Sequence, residues 1–235
     1  MYYIFRFGIY LLYPDVVQFV ALIFMGRFST VLFDWDGTLA DTWKLRVAFL
    51  AHLIERFGLP VPDVEELRRN FRADYREHYA ASGLSERQRQ QTNMIWNAYK
   101  VGREQYSLFP GVMETIGTLS MRGVKLGVVS NGARVEVIQD TERFGIRRYL
   151  GCIVTLDDVP EFKPSPEGIL HAIRLLGSSE KNTLYVGDMI EDVRAGKSAG
   201  VATAAVTSGM HFRDMLENEK PNYLFGSVNE LLGLF

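Results

Sequence analysis

Two aspartates follow a short apolar run near residue 30, and this segment constrains the fold more than any other. Residues 31–39 read Val-Leu-Phe-Asp-Trp-Asp-Gly-Thr-Leu, so Asp34 and Asp36 lie two positions apart. On an extended backbone such residues point to the same side, and Gly37 allows a sharp turn directly afterwards. In open α/β sheets, ligands bind at the carboxyl ends of the strands. The segment predicts a buried strand that ends in a ligand-binding turn; taken alone, it leaves a solvated acidic turn as the alternative.

The composition limits the class of protein. Of the 235 residues, 47% are hydrophobic and 23% are charged, which is typical of a soluble globular chain with one core and a smaller accessory domain. The net charge is −2 and the basic residues form no long run, so a nucleic-acid partner is not expected. The single cysteine, Cys152, excludes an intrachain disulfide and is interpreted as a core residue. This cysteine usage favours a cytoplasmic location.

Residues 1–28 form a hydrophobic N-terminal extension. Its longest uncharged run, Val16 to Gly26, is well short of the roughly 20 residues that span a bilayer, so a membrane partner is not favoured. Three interpretations stay open: a helical extension that packs on the domain or on a partner, a weak membrane-surface anchor, or a translation start at Met25. We favour the start at Met25, because it lies directly before the first expected strand.

From residue 29 onward, short apolar segments alternate with amphipathic segments of helical length. The expected strands are 29–34, 124–129, 151–154, 183–187, 201–206 and 222–225. The helices expected between them include Val112–Met121, Ala133–Phe144, Pro166–Leu176 and Val193–Ala199. This alternation predicts an α/β fold with a Rossmann-like parallel sheet and helices on both faces.

Residues 41–108 break this rhythm because they contain no strand pattern. Three helical patterns fill the interval: Thr42–Phe57, Val64–Ala81 and Ser85–Tyr106. An all-helical insert placed directly after an acidic turn is typical of a cap over a site. We therefore expect a core domain formed by residues 29–40 and 109–235, with a helical cap domain at 41–108.

Polar groups also follow the later expected strands. Ser130 and Asn131 come directly after the strand at 124–129, and their side chains are able to donate hydrogen bonds to phosphate oxygens. Lys163 precedes an expected helix and supplies a point charge that suits phosphate. Each feature alone also fits an ordinary turn or a solvated lysine.

A further pair of acids follows the strand at 183–187. Asp188 and Asp192 are hard oxygen ligands that suit Mg²⁺ better than zinc, although an acidic helix start is the simpler alternative. The carboxyl ends of parallel strands meet at one edge of a sheet. The sequence therefore predicts that this pair lies near Asp34 and Asp36.

The order of these groups resembles the four motifs of the haloacid dehalogenase (HAD) superfamily. The matching segments are Asp34-Trp35-Asp36-Gly37-Thr38, Ser130-Asn131, Lys163-Pro164, and Gly187-Asp188 with Asp192. The resemblance covers residues 29 to about 230, and the helical insert resembles the type-one cap of the phosphoglycolate-phosphatase-like branch. It implies a Mg²⁺-dependent phosphatase that hydrolyses a small phosphorylated metabolite through an aspartyl-phosphate.

The resemblance also implies a role for each matched residue. Asp34 is expected to be the nucleophile, and Asp36 the general acid and then the general base. The Mg²⁺ ligands are expected to be Asp34, the backbone carbonyl of Asp36, and Asp188, with Asp192 in support. The residues expected to bind phosphate are Gly37, Thr38, Ser130, Asn131 and Lys163.

Some functions remain open within and beyond this resemblance. Asp36 argues against the dehalogenase and phosphonatase branches, in which the second acid is replaced. Met189 stands where the family often has a small hydroxyl residue, which puts a contact near the metal in doubt. The alternatives to a phosphatase are a phosphosugar mutase of the β-phosphoglucomutase type and a non-catalytic scaffold. The substrate and the oligomeric state are not set by the sequence; candidate substrate contacts in the insert are Lys44, Arg46, His52, Lys100 and Arg103.

Overall fold

The computed structural model describes residues 27–59, 63–72, 84–100 and 106–235. The interpretations of residues 1–26, including a start at Met25, lie outside the described residues, as do Arg103 and the side chain of Lys100. No helix in the described ranges combines the length and the apolar character needed to cross a bilayer.

Six strands form one parallel sheet, as the sequence predicts. They are β1 Thr30–Phe33, β2 Lys125–Val129, β3 Cys152–Val154, β4 Thr183–Gly187, β5 Ala202–Val206 and β6 Tyr223–Phe225. Their order is β3-β2-β1-β4-β5-β6, and every neighbouring pair is parallel. The first strand in sequence is thus central in the sheet, and its residues are fully buried.

The helices of the described residues fall into two groups. Three belong to the helical insert that follows β1: α1 Trp43–Phe57, α2 Val64–Asn70 and α3 Glu86–Lys100. The others follow in chain order: α4 Val112–Met121, α5 Arg134–Arg143, α6 Glu167–Leu175, α7 Ile190–Ser198 and α8 Arg213–Asn218. Apolar side chains of α4 and α5 pack on one face of the sheet, and those of α6 and α7 on the other. Cys152 is buried in the second of these clusters, as expected.

The strand register places the ends of the central strands at one edge. Phe33 is paired with Val128 of β2 and with Val186 of β4. The residues that follow these strands therefore emerge side by side. This alignment brings Asp34 and Asp188 to one edge of the sheet.

Two chain segments connect the insert to the core, and they lie side by side. The backbone amide of Asp41 donates to the carbonyl of Ser107 at 2.9 Å, and that of Phe109 donates to the carbonyl of Leu39 at 3.0 Å. The insert also has an apolar cluster of its own, with Phe49, Leu53, Leu84 and Ile95 buried in it. This cluster supports the division into core and cap, which we retain as a proposal.

Several helix boundaries differ from the prediction. The helix predicted for Val64–Ala81 ends at Asn70, because Phe71 takes an extended conformation with φ −62° and ψ 138°. The Phe71 ring packs edge-on against Trp43, at 6.0 Å between centroids. Residues 73–83 lie outside the described residues. The charged helical pattern continues through Phe71, so the sequence carries no stop signal there.

Other differences concern the ends of the expected helices. The helix predicted for Ser85–Tyr106 is described from Glu86 to Lys100, and Tyr106 is not helical. The helix predicted for Val193–Ala199 begins at Ile190. Helix α8 was not predicted; it has six residues and one buried side chain, Leu216, which is too little for a periodic pattern.

Candidate active site

Three buried carboxylates converge beyond the ends of β1 and β4. Asp34 follows β1, Asp188 follows β4, and Asp192 lies in the first turn of α7. One carboxylate oxygen from each lies within 4.8 Å of those of the others. The three residues are 5%, 0% and 3% exposed, so water screens their mutual repulsion poorly.

Lys163 is the cation within this cluster. Its Nζ donates to Asp34 Oδ1 at 2.5 Å and to Asp192 Oδ1 at 2.7 Å, and the residue is 6% exposed. The Asn131 side chain fixes the backbone of this lysine: Oδ1 accepts from the Lys163 amide at 3.0 Å, and Nδ2 donates to the Lys163 carbonyl at 3.2 Å. The sequence predicted Asn131 near phosphate but did not predict that its side chain holds the lysine loop.

Burial and the neighbouring charges shift the pKa values of Asp34, Asp188 and Lys163. Burial raises the pKa of Asp34 to about 7, against the attraction of Lys163. Burial, with the nearby Asp34 and Asp192 carboxylates, raises the pKa of Asp188 well above its usual value. Burial would lower the pKa of Lys163, but the Asp192 and Asp34 carboxylates raise it well above its usual value. The single positive charge of Lys163 does not neutralise three carboxylates, so a further cation would be stabilised at this cluster.

The Asp188 carboxylate is held on both oxygens. Thr38 Oγ1 donates to Oδ1 at 2.7 Å, and the Met210 amide donates to Oδ2 at 2.7 Å. A Cβ added at Gly37 or Gly209 would lie 2.3 Å from Oδ2, so glycine allows the backbone to approach at both positions. That Thr38 binds phosphate stays a prediction; in the structure its hydroxyl donates to Asp188. The contacts of Gly209 and Met210 with Asp188 were not predicted. The sequence feature that points to these two residues is a glycine shortly after a strand.

Asp192 is likewise held by several donors. Its Oδ2 accepts from the Met189 amide at 3.0 Å, and its Oδ1 accepts from the Tyr185 hydroxyl at 3.1 Å in addition to Lys163. Tyr185 is 1% exposed, and its hydroxyl oxygen also lies 3.2 Å from the Val129 carbonyl oxygen, a second acceptor for the same proton. The sequence missed Tyr185, which looks like an ordinary core residue of a buried strand.

The cluster opens into a cavity of about 280 Å³ between the core and the insert. The core side is lined in part by Asp34, Asp36, Ser130, Asn131, Lys163 and Asp192. The insert side is lined by Arg46, Phe71, Arg72 and Trp96. Six of the residues singled out from the sequence motifs thus reach one cavity, while Gly37, Thr38 and Asp188 do not line it.

Ser130 and Asp36 flank the cluster. Ser130 is 4% exposed, and its hydroxyl oxygen accepts from the Gly132 amide at 3.0 Å. The Asp36 carboxylate is half-buried, and its Oδ2 accepts from Nη2 of Arg46, on α1, at 2.9 Å. Of the insert residues named from the sequence, Arg46 reaches the site. Lys44 is exposed, and the ring of His52 packs against Tyr99.

The fold and this site define a class of protein, and comparison with known families agrees. Residues 31–206 match the model of the haloacid dehalogenase-like hydrolase family. The chain belongs to this family and is a hydrolase.

Similar proteins carry phosphatase names. The chain is 31% identical over 229 residues to pyrophosphatase PpaX of Halalkalibacterium halodurans, covering 88% of this chain and 96% of the relative. It is 28% identical over 211 residues to phosphoglycolate phosphatase 1 of Pseudomonas aeruginosa, covering 86% and 78%. A crystal structure of a predicted phosphoglycolate phosphatase from Haemophilus somnus has a TM-score of 0.79 at 23% identity, over 89% of this chain and 99% of that one. The structural match concerns the fold alone.

Proposed function

We propose that this protein is a Mg²⁺-dependent phosphatase that hydrolyses a small phosphorylated metabolite through an aspartyl-phosphate on Asp34. The proposal rests on one observation: Asp34, Asp36 and Lys163 line the same cavity, and Lys163 forms an ion pair with Asp34. A nucleophile, a proton shuttle and a cation for the phosphoryl group are the parts that this chemistry needs.

In the first half-reaction, an oxygen of Asp34 attacks phosphorus, and the bond from phosphorus to the leaving oxygen breaks. Asp36 gives its proton to that oxygen, so the product leaves as a neutral hydroxyl group. An anionic carboxylate about 3.5 Å from a phosphate charge is repelled by about 5 kcal/mol at an effective dielectric constant near 20. Lys163 offsets part of this repulsion, and the Ser130 hydroxyl binds a phosphoryl oxygen.

In the second half-reaction, water attacks the phosphorus of the aspartyl-phosphate. Asp36, now a carboxylate, takes a proton from this water, and the bond from phosphorus to Asp34 breaks. Inorganic phosphate leaves and both aspartates return to their starting states. In a mutase, a sugar hydroxyl would take the place of this water.

The donor set fits Mg²⁺. The cluster offers hard, anionic carboxylate oxygens within 4.8 Å of one another, and the charge of Lys163 does not balance them. Asp34 and Asp188, together with the backbone carbonyl of Asp36, would hold the ion, and Asp192 would support them through Lys163. When bound, Mg²⁺ supplies positive charge that stabilises the transferring phosphoryl group.

The names of the relatives indicate which substrates to test first. Inorganic pyrophosphate and phosphoglycolate are both small, and in both the leaving group carries further negative charge. Arg46 and Arg72 line the insert side of the cavity, which supports a leaving group of this kind.

A substrate panel with Mg²⁺, with and without EDTA, tests the proposal. We expect phosphate release from at least one of pyrophosphate, phosphoglycolate, a sugar phosphate or a nucleotide, and its loss with EDTA. Asp34→Asn should abolish turnover without changing the circular dichroism spectrum. Near-normal hydrolysis by that variant would refute the nucleophile, and a requirement for a sugar bisphosphate activator would favour the mutase.

A further inference from the structure

Arg46 makes a contact that the motifs of the core do not require. It lies on α1 of the insert, and its Nη2 donates to Asp36 Oδ2 at 2.9 Å across the cavity. The side chains of Arg46 and Asp36 are 29% and 23% exposed, so the pair is partly shielded from water. Among the side chains of the described residues, Arg46 is the one that hydrogen-bonds this carboxylate.

The guanidinium group also contacts Trp96, which in turn contacts the core. It lies 5.3 Å from the ring centroid of Trp96 on α3, a distance typical of a cation–π contact. The Trp96 indole N–H points toward Glu136 Oε1, at 3.3 Å, on helix α5 of the core. The insert therefore presents Arg46 to Asp36 from a packed position.

We propose that Arg46 is a positioning residue for proton transfer by Asp36, an inference that rests on the proposed phosphatase activity. Arg46 holds Oδ2 and leaves Oδ1, which accepts no hydrogen bond from a described residue, to exchange the proton with the leaving oxygen and then with water. The insert thus supplies part of the acid–base machinery as well as covering the site.

Proton transfer matters most when the leaving group is basic. A nitrophenolate departs readily without a proton, whereas an unsubstituted phenolate gains much from general acid catalysis. Loss of Arg46 should therefore slow the formation of the aspartyl-phosphate from phenyl phosphate more than from 4-nitrophenyl phosphate. A residue that only bound the phosphoryl group would slow both to the same extent.

Single-turnover phenol release from a series of aryl phosphates tests this proposal, with Mg²⁺ and enzyme in excess. For Arg46→Gln we expect at least a tenfold loss with phenyl phosphate and a loss below about threefold with 4-nitrophenyl phosphate, since a general acid contributes about 10²–10⁴-fold. The matched control is Arg56→Gln, which removes an exposed arginine from the last turn of the same helix and should leave both rates unchanged.

A second variant separates positioning from substrate binding. If Arg46 acts through Asp36, adding Arg46→Gln to Asp36→Asn should cause no further loss with phenyl phosphate. Equal losses across the aryl series, additive losses in the double variant, or unchanged rates in Arg46→Gln would each overturn the proposal. A wild-type enzyme that releases no phenol from any of these esters would instead overturn the phosphatase activity, and the inference with it.

Discussion

At the scale of single residues, Lys163 holds the acid cluster together. It is buried and bonded to Asp34 and Asp192, which otherwise face each other and Asp188 in a region of low polarity. Removing one partner of a buried ion pair is far more costly than removing an exposed one, because the remaining charge stays buried without compensation. The same lysine is thus expected to serve both stability and phosphate binding.

Lys163→Met should lower the free energy of unfolding by about 3 kcal/mol at neutral pH, measured by urea denaturation without metal. The loss should shrink as the pH is lowered, because burial raises the pKa of Asp34, and without the opposing attraction of Lys163 this carboxyl takes up a proton more readily instead of remaining charged. The control is Lys181→Met, at an exposed lysine, for which we expect a change below about 0.5 kcal/mol. A loss below 1 kcal/mol for Lys163→Met would contradict this role.

The residues of the site differ in how far the sequence could predict them. Asp34, Asp188 and Lys163 follow from the chemistry expected at the ends of parallel strands. The contacts that hold them do not: the Asn131 side chain bonds the backbone of Lys163, and Thr38 bonds Asp188. These contacts depend on how distant loops fold over one another, which no local pattern encodes.

At the scale of elements, the insert is attached to the loop that holds Asp188. Arg68 of α2 donates through Nε to the Met210 carbonyl at 2.8 Å and through Nη2 to the Gly209 carbonyl at 2.9 Å. The amide of Met210 in turn donates to Asp188 Oδ2. A single loop therefore connects the position of α2 with the geometry of the acid cluster.

Arg68→Met should loosen this loop, because two backbone carbonyls lose a charged donor. We expect a stability loss of about 1–3 kcal/mol and faster hydrogen exchange at the amides of Met210 and His211. Arg69→Met is the matched control, since Arg69 pairs with Glu65 and Asp214, which are exposed, and such surface pairs contribute little to stability. Equal exchange in the two variants would show that α2 does not restrain the loop.

His211 makes a second connection between the insert and the core, and it is sensitive to pH. Its Nδ1 accepts from the Ile190 amide at 3.1 Å, which leaves Nε2 to donate to the Phe71 carbonyl at 3.2 Å. Burial lowers the pKa of His211 to about 4 from 6.5, with Arg72 and Arg68 acting in the same direction and the Phe71 contact and Asp192 opposing them. The folded state therefore requires the neutral ring.

The stability that neutral His211 provides should disappear as the pH falls. It is fully present above the unfolded pKa of 6.5 and is lost toward the folded value of about 4, because the unfolded chain binds the proton first. The difference in unfolding free energy between wild type and His211→Gln should thus narrow by about 3 kcal/mol across that range. The buried aspartates change the unfolding free energy with pH in the opposite direction. Their contribution is the same in wild type and His211→Gln, so it cancels in the difference between the two proteins. A constant difference would mean that the ring does not titrate on unfolding.

The elements themselves were predicted unevenly, for physical reasons. The strands are short, apolar and bounded by turns, and each begins within one residue of its expected start. The early end of α2 was missed, because the contacts of Phe71 with Trp43 and with His211 override a helical pattern that continues in sequence. Tertiary contacts decide such boundaries, so local patterns are weakest in the insert.

At the scale of the whole molecule, the sheet gathers negative charge at one edge while the chain as a whole is nearly neutral, with a net charge of −2. The acidic residues that follow different strands come together at this edge, because parallel strands all end on the same side of the sheet. Folding without a metal therefore brings together groups that repel one another. A divalent cation that binds the folded state alone should stabilise the entire molecule by mass action.

Mg²⁺ at about 100 times its dissociation constant should add about 2.7 kcal/mol to the free energy of unfolding. For a chain of this length the midpoint of thermal unfolding should rise by roughly 5–10 °C, and EDTA should reverse the shift. Asp188→Asn should abolish the shift. In EDTA it should be at least as stable as wild type, because it removes a carboxyl group whose pKa is raised well above its usual value by burial and by the nearby Asp34 and Asp192 carboxylates. Asp214→Asn, at an exposed acid, should retain the full shift. A shift that survives in Asp188→Asn would place the ion elsewhere, and no shift in wild type would exclude a folded-state Mg²⁺ site at this edge of the sheet.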